Sequence, residues 1–176
     1  MVKPILLVLG AIPAIVAILI AIPIITKPDI PFSASVPSDI IEIEFTKHNL
    51  KKVSFGVTER TIPQTSEILI IQDNGDVRYT ITRDGDPQPD KYYKLDEATL
   101  KKLSAIIKET GFMEIPSESF PVSDDVDNYE RFSVKVTLNG AVKQIFWPEQ
   151  NATKKFVPPI ITLVETELKQ VISKIN

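Results

Sequence analysis

Four carboxylates fall close together at Asp124, Asp125, Asp127 and Glu130. Hard oxygen ligands at this spacing suit calcium, and Asp125-x-Asp127 resembles the opening of a calcium-binding loop. The pattern then stops, with no glycine at the sharp turn and no closing glutamate at the right distance. Asp124, Asp125 and Asp127 are therefore candidate calcium ligands, set against the plainer reading of a solvated acidic loop. The same side chains could supply a general acid and base for a carboxylate or metal-assisted hydrolase, although such a pair works only in a cleft that separates the two pKa values.

Nucleophilic chemistry has less to draw on. The only histidine, His48, sits between Lys47 and Lys51 in what reads as a turn, where an exposed, inert imidazole is expected. The chain has no cysteine, which excludes a disulfide framework, a thiolate metal site, a cysteine nucleophile and a redox pair. Glycine-rich phosphate loops, dinucleotide fingerprints and His-Glu-x-x-His are all missing from the sequence. No catalytic residue and no cofactor are expected, and the sequence reads as a binding domain rather than an enzyme.

Charge narrows the partners. The formal net charge is -3 over 176 residues, with 20 Lys and Arg against 23 Asp and Glu. A nucleic-acid surface would need the opposite balance. Tyr92, Tyr93 and Tyr129 would suit a protein-binding patch, since tyrosine brings apolar area with a polar tip, or they pack over the ends of a sheet. Asn151-Ala152-Thr153 is the one glycosylation sequon, so Asn151 is a candidate carrier of a glycan.

The elements that must position these residues begin with an apolar run. Residues 4–26 carry no charge and are dominated by Ile, Leu, Val and Ala; as a helix they would span roughly 34 Å, enough to cross a bilayer. A cleaved signal peptide has a shorter apolar region and ends in a small-x-small site, whereas here Phe32-Ser33-Ala34 has a bulky residue where a small one is needed. Residues 1–27 are accordingly read as an uncleaved transmembrane anchor, kinked near Pro13 and frayed near Pro23. Lys3 and the α-amino group before the span favour the amino end inside, which places the rest outside the cytoplasm. Gly10, Ala11, Ala14, Ala17 and Ala21 offer a small-residue face for contact with another membrane helix, as in an accessory subunit of a larger complex. Residues 28–38, rich in Pro and Ser, read as an extended spacer of up to about 30 Å.

Residues 39–176 read as one soluble α+β domain. Strands are expected at Ile40 to Phe45 and across Val53, Phe55 and Val57. Asn74-Gly75 suggests a two-residue hairpin turn that pairs Ile70 with Tyr79 and Ile68 with Ile81. Residues 84–90 read as a loop. Asp96 caps a helix that ends at Thr110 with Gly111 after it, and its stripe is Leu100, Leu103, Ile106 and Ile107. A second hairpin through Asn139-Gly140 pairs Phe132 with Trp147 and Val134 with Ile145. Pro158 and Pro159 sit at or just before a last helix, lined by Ile160, Val164, Leu168, Val171, Ile172 and Ile175. The expected architecture is an antiparallel sheet of four to six strands with two amphipathic helices on one face. Asn74 to Arg78 and Asn139 to Lys143 look alike, through either an internal duplication or the frequency of Asn-Gly in hairpin turns.

This order of features carries a resemblance. Residues 66–172 are similar to emfourin-like domains, typified by the inhibitor of protealysin-type metallopeptidases, and to uncharacterised membrane-anchored domains of the same order. The shared elements are a hairpin, the helix from Leu95-Asp96-Glu97 to Thr110, Gly111-Phe112 with Ile115-Pro116, an acidic loop, the strand from Tyr129 to Leu138, the Gly140 turn and the Pro-initiated last helix. The glycine-rich first loop of emfourins has no counterpart at Ile68 to Gln72. The resemblance implies a non-catalytic protein-binding domain, in its most specific form a metallopeptidase inhibitor, with no functional residue carried over.

Overall fold

A computed structural model describes residues 38–175; the expected anchor and all of the spacer but Ser38 lie outside them. One antiparallel sheet of seven strands and two helices form an α+β domain. The strands are β1 (Ile41–Phe55), β2 (Thr58–Ile71), β3 (Asp76–Arg83), β4 (Asp86–Pro87), β5 (Lys91–Lys94), β6 (Asn128–Leu138) and β7 (Ala141–Pro148). Their spatial order is β4-β3-β2-β1-β6-β7, with β5 also paired to β3. The helices are α1 (Glu97–Glu109) and α2 (Pro159–Ile175). The strand count exceeds four to six because residues 84–90 are not all loop: Asp84 (φ 48) and Gly85 (φ 90) turn the chain so that Asp86 pairs with Arg83, and β5 then pairs with Asp76 to Tyr79.

The first strand corrects the sequence reading. Ile41, Ile43 and Phe45 are buried on one face as expected, but β1 does not stop there. It continues through Lys47 and His48 to Phe55 and turns at Gly56 (φ 70) into β2. The two expected strands are thus one, and Val57 belongs to the turn.

The first short hairpin is shifted by one residue from the expected register. Leu69 pairs with Tyr79 and Ile71 with Val77, while Ile68 faces Thr80 and Ile70 faces Arg78. The cause lies in the turn. Asp73 accepts a hydrogen bond from the Asn74 backbone N–H (2.8 Å) and Asn74 accepts one from that of Asp76 (2.8 Å). Gly75 N–H closes onto the Gln72 carbonyl at 2.9 Å, and Gly75 alone takes a positive φ, of 85. This is a three-residue loop with glycine in the left-handed position, not a two-residue one. Leu69, Ile71, Val77 and Tyr79 consequently reach the core, while Ile68 and Ile70 stay half-buried.

Gly75 is also pressed from above, since a Cβ there would meet the Leu95 carbonyl oxygen at 3.3 Å. Gly75→Ala is expected to cost about 1–2 kcal/mol, for the left-handed backbone together with the displaced Leu95. Chemical denaturation measures this, and Gly140→Ala, in the same backbone region (φ 84) with open space around it, should cost less.

The second hairpin follows the expected register, with Phe132 opposite Trp147 and Val134 opposite Ile145. Here both Asn139 (φ 50) and Gly140 (φ 84) are left-handed, as a two-residue turn requires. The likeness between the Asn74 and Asn139 segments therefore does not extend to turn conformation.

Across the sheet the alternation is continuous: Phe45 pairs with both Leu69 and Val134, and Ile43 with both Ile71 and Val136. All six are buried. Phe45, Phe132 and Trp147 stack in a row, with ring centroids 6.2 and 5.8 Å apart. Helix α2 closes this part of the core. Its Glu165 accepts the Trp147 indole N–H at 3.0 Å, and its Lys169 ammonium lies 4.6 Å from the Phe132 ring centroid. Helix α1 joins α2 through Lys102 and Glu167 (2.7 Å). The Asp96 carboxylate caps α1 by accepting the Thr99 backbone N–H, and left-handed Gly111 follows its end, both as expected. Leu103, Ile106 and Ile107 are buried and Leu100 is half-buried. In α2 the buried stripe begins at Ile161 rather than Ile160, which is half-buried; the two precede Val164 by three and four residues, both same-face spacings, and the rest of the stripe is as expected except that Ile175 is half-buried.

Candidate functional site

Beyond the sheet, β1 and β2 continue as a two-stranded arm. β1 has its β6 partner only as far as Lys51, opposite Asn128, and β2 has its β3 partner only from Thr65 onward. The arm starts at a bulge, where Asn49 faces Thr65 but Leu50 faces Pro63, leaving Gln64 as the extra residue. A bulge bends a strand and ends regular pairing. Pro63 is tolerated because β3 no longer asks that position for a donor. At the tip, Thr58 donates to the Phe55 carbonyl (3.3 Å), and lower down Lys52 pairs with Glu59 at 3.3 Å. Most of its apolar side chains are exposed: Phe55 is 56% exposed, Ile62 37%, and Val57 fully so, while Val53 is half-buried. An isolated two-stranded hairpin is marginal in water, so an arm bearing exposed apolar groups suits contact with something else.

His48 is in the middle of β1, not in a turn. Its Nδ1 shares a 2.8 Å hydrogen bond with the Ser66 hydroxyl, and with Leu50, Tyr129, Arg131 and Phe146 it borders an open groove of about 360 Å³. A serine–histidine pair is half of a nucleophilic site. The other half, a carboxylate orienting the ring, is absent among the described residues, and the neighbouring charge is the Arg131 guanidinium. Burial, and then repulsion from Arg131, push the His48 pKa below its ordinary value near 6.5. A folded-state value below the unfolded one means that His48 contributes stability above pH 6.5 and loses it as the pH falls through the folded value. As the only histidine it gives a single imidazole Hε1 NMR signal. That signal is expected to titrate below 6.5 and to move part of the way back in Arg131→Ala, burial being the larger cause; a midpoint at or above 6.5 in the unmodified protein would contradict this.

The acidic loop does not gather its four carboxylates. Asp124, Asp125 and Asp127 are exposed, and the backbone carbonyls of Asp124 and Asp127 accept hydrogen bonds from Lys52 (3.0 and 2.7 Å). Glu130 pairs instead with Lys47 at 2.8 Å. Among the described residues no three His, Asp or Glu side chains group so as to hold a metal ion. Tyr92 and Tyr93 lie on edge strand β5 and border an open groove of about 520 Å³ with Ile70 and Arg78. Tyr92 is 74% exposed. Tyr129 is half-buried opposite Leu50. Asn151 is exposed in a single 3-10 turn, while Thr153 of its sequon is buried, its hydroxyl accepting the Lys155 backbone N–H.

One cluster was not foreseen from the sequence. Lys47 continues the buried face of Ile41, Ile43 and Phe45, and there it meets Glu130 (2.8 Å) and Glu67 (3.8 Å); Glu67 in turn accepts the Tyr79 hydroxyl. Burial lowers the Lys47 pKa, but the hydrogen bond and charge of Glu130, with the charges of Glu67 and Glu165, more than offset it and leave the pKa raised. The signal was present in the alternation, which puts a lysine where the pattern asks for an apolar residue. This ion cluster ties β1, β2 and β6 together beneath the arm.

Compared with known proteins, the chain matches no family model and no curated protein. Among the described residues no helix is long and apolar enough to cross a membrane; residues 4–26, expected to do so, are outside them.

Proposed function

We propose that this chain is a single-pass membrane protein whose extracytoplasmic domain binds another protein and catalyses no reaction. Residues 4–26 are the span, and the β1–β2 arm is the element that meets the partner. The observation that carries this reading is the arm itself, a two-stranded extension with Phe55, Val57 and Ile62 open to solvent. The metallopeptidase inhibition implied by the emfourin resemblance is its most concrete form. A second reading, an accessory subunit of a membrane complex, is favoured by the small-residue face of Gly10, Ala14, Ala17 and Ala21.

The test is stoichiometric co-purification from the native membrane in mild detergent, comparing the full-length protein with a Phe55→Ser, Val57→Ser double variant. A partner that the double variant loses supports the reading. A partner retained by both proteins moves the contact away from the arm, and towards the span when that partner is a membrane protein. Recovery of a secreted peptidase, inhibited by the full-length protein, would select the inhibitor form.

A further inference from the structure

We infer that the helix-side face of the arm docks an acidic partner with an apolar centre, most simply an amphipathic helix carrying Glu or Asp along its flanks; this rests on the protein-binding reading above. The register sorts the arm's side chains. Lys51 faces Ile62, Val53 faces Arg60 and Phe55 faces Thr58, so Lys51, Val53, Phe55, Arg60 and Ile62 share one face, the prolongation of the face that carries Ile41, Ile43 and Phe45. Over the sheet that face is buried. Over the arm Lys51, Phe55, Arg60 and Ile62 are exposed and Val53 is half-buried.

Charge is sorted the same way. Lys52 and Glu59 pair with each other on the opposite face, while Lys51 and Arg60 make no ion pair among the described residues. Residues 51–62 hold three cations and one anion in a chain whose net charge is -3. An apolar strip flanked by two unpaired cations is complementary to apolar groups flanked by carboxylates. Within this molecule the same face of the sheet takes helix α2, which makes a helix the natural cover for its continuation.

Two other occupants fit less well. A second copy using the same strip about a two-fold axis would gather four cations and no anion of this face in one interface. An anionic bilayer surface is usually met by about four to eight clustered basic residues, and this face has two. At the other end of β1, Ile40 N–H donates to the Asn139 side chain (2.9 Å). From there the 15 residues of β1 carry the tip roughly 50 Å away.

The test uses the full-length protein in phosphatidylcholine nanodiscs and a fluorescent amphipathic helical peptide with Leu at i, i+3, i+4 and i+7 and Glu flanks. Its counterpart has Lys in place of Glu, and phosphatidylserine vesicles are the third probe. The Glu peptide is expected to bind at least ~10-fold more tightly than the Lys peptide, with an affinity that falls with salt. Lys51→Glu with Arg60→Glu should invert that preference, and Phe55→Ser should weaken both peptides, all with unchanged thermal melting because these side chains are exposed. Equal binding of the two peptides, binding indifferent to the variants, preference for the vesicles, or a dimer abolished by Phe55→Ser would each overturn the inference. The charge-reversed variant separates this failure from that of the parent reading. If it still co-purifies a partner that Phe55→Ser, Val57→Ser loses, the acidic docking surface falls and protein binding by the arm stands.

Discussion

Replacing Trp147 with alanine is expected to lower the unfolding free energy by about 3–5 kcal/mol. Trp147 is 2% exposed, and it fills the end of the stacked row of Phe45 and Phe132. Its loss would leave a cavity bounded by the sheet and α2. It would also leave the Glu165 carboxylate, which now accepts the indole N–H and pairs with Lys169 at 2.6 Å, with one partner fewer. Trp147→Phe separates the two contributions. The smaller ring keeps most of the stacking and loses the hydrogen bond, so its expected cost is about 1–2 kcal/mol. Urea unfolding followed by circular dichroism measures both, and equal losses in the two variants would mean that the indole N–H rather than the ring volume carries the effect.

Removing residues 1–27 is expected to move the protein from the membrane fraction to the soluble fraction. Those residues hold the long uncharged run, whereas the buried apolar side chains of the domain run from Ile41 to Ile172. The melting temperature of the remaining domain should therefore shift by less than ~2 °C. Carbonate extraction of the unmodified protein supplies the comparison. Release of full-length chains by carbonate would contradict an integral span, and a mature protein lacking these residues would return the segment to a cleaved signal.

Where the sequence was legible, local chemistry decided the outcome. Asn139-Gly140 is a turn both of whose residues tolerate a positive φ, and it set the register of β6 and β7 correctly. The Asp96 cap and Gly111 bounded α1 for the same kind of reason. At Asn74-Gly75 the side chains of Asp73 and Asn74 compete for the backbone N–H groups and lengthen the loop by a residue. The flanking run Ile68-Leu69-Ile70-Ile71 is apolar on both faces, so hydrophobic alternation could not reveal the one-residue slip.

The site was less legible than the fold. Lys47 and His48 broke the apolar pattern of β1 and read as a turn, because what keeps them in a strand is distant in sequence: Glu130 on β6 for Lys47 and Ser66 on β2 for His48. With that turn removed, β1 and β2 join into a single long hairpin, and the exposed tip at Phe55 and Val57 becomes an arm. The acidic residues were conspicuous in sequence, but their spacing could not show that Glu130 turns to Lys47 while Asp124, Asp125 and Asp127 face solvent.

If the arm holds another protein at the membrane, a photo-crosslinking residue at Phe55 of the full-length chain in its native membrane will capture that protein. One discrete protein adduct is expected from position 55, the same adduct from position 57, and none from Thr137 on the open face of the sheet. Adducts to lipid alone, or equal yields from all three positions, would contradict protein binding by the arm.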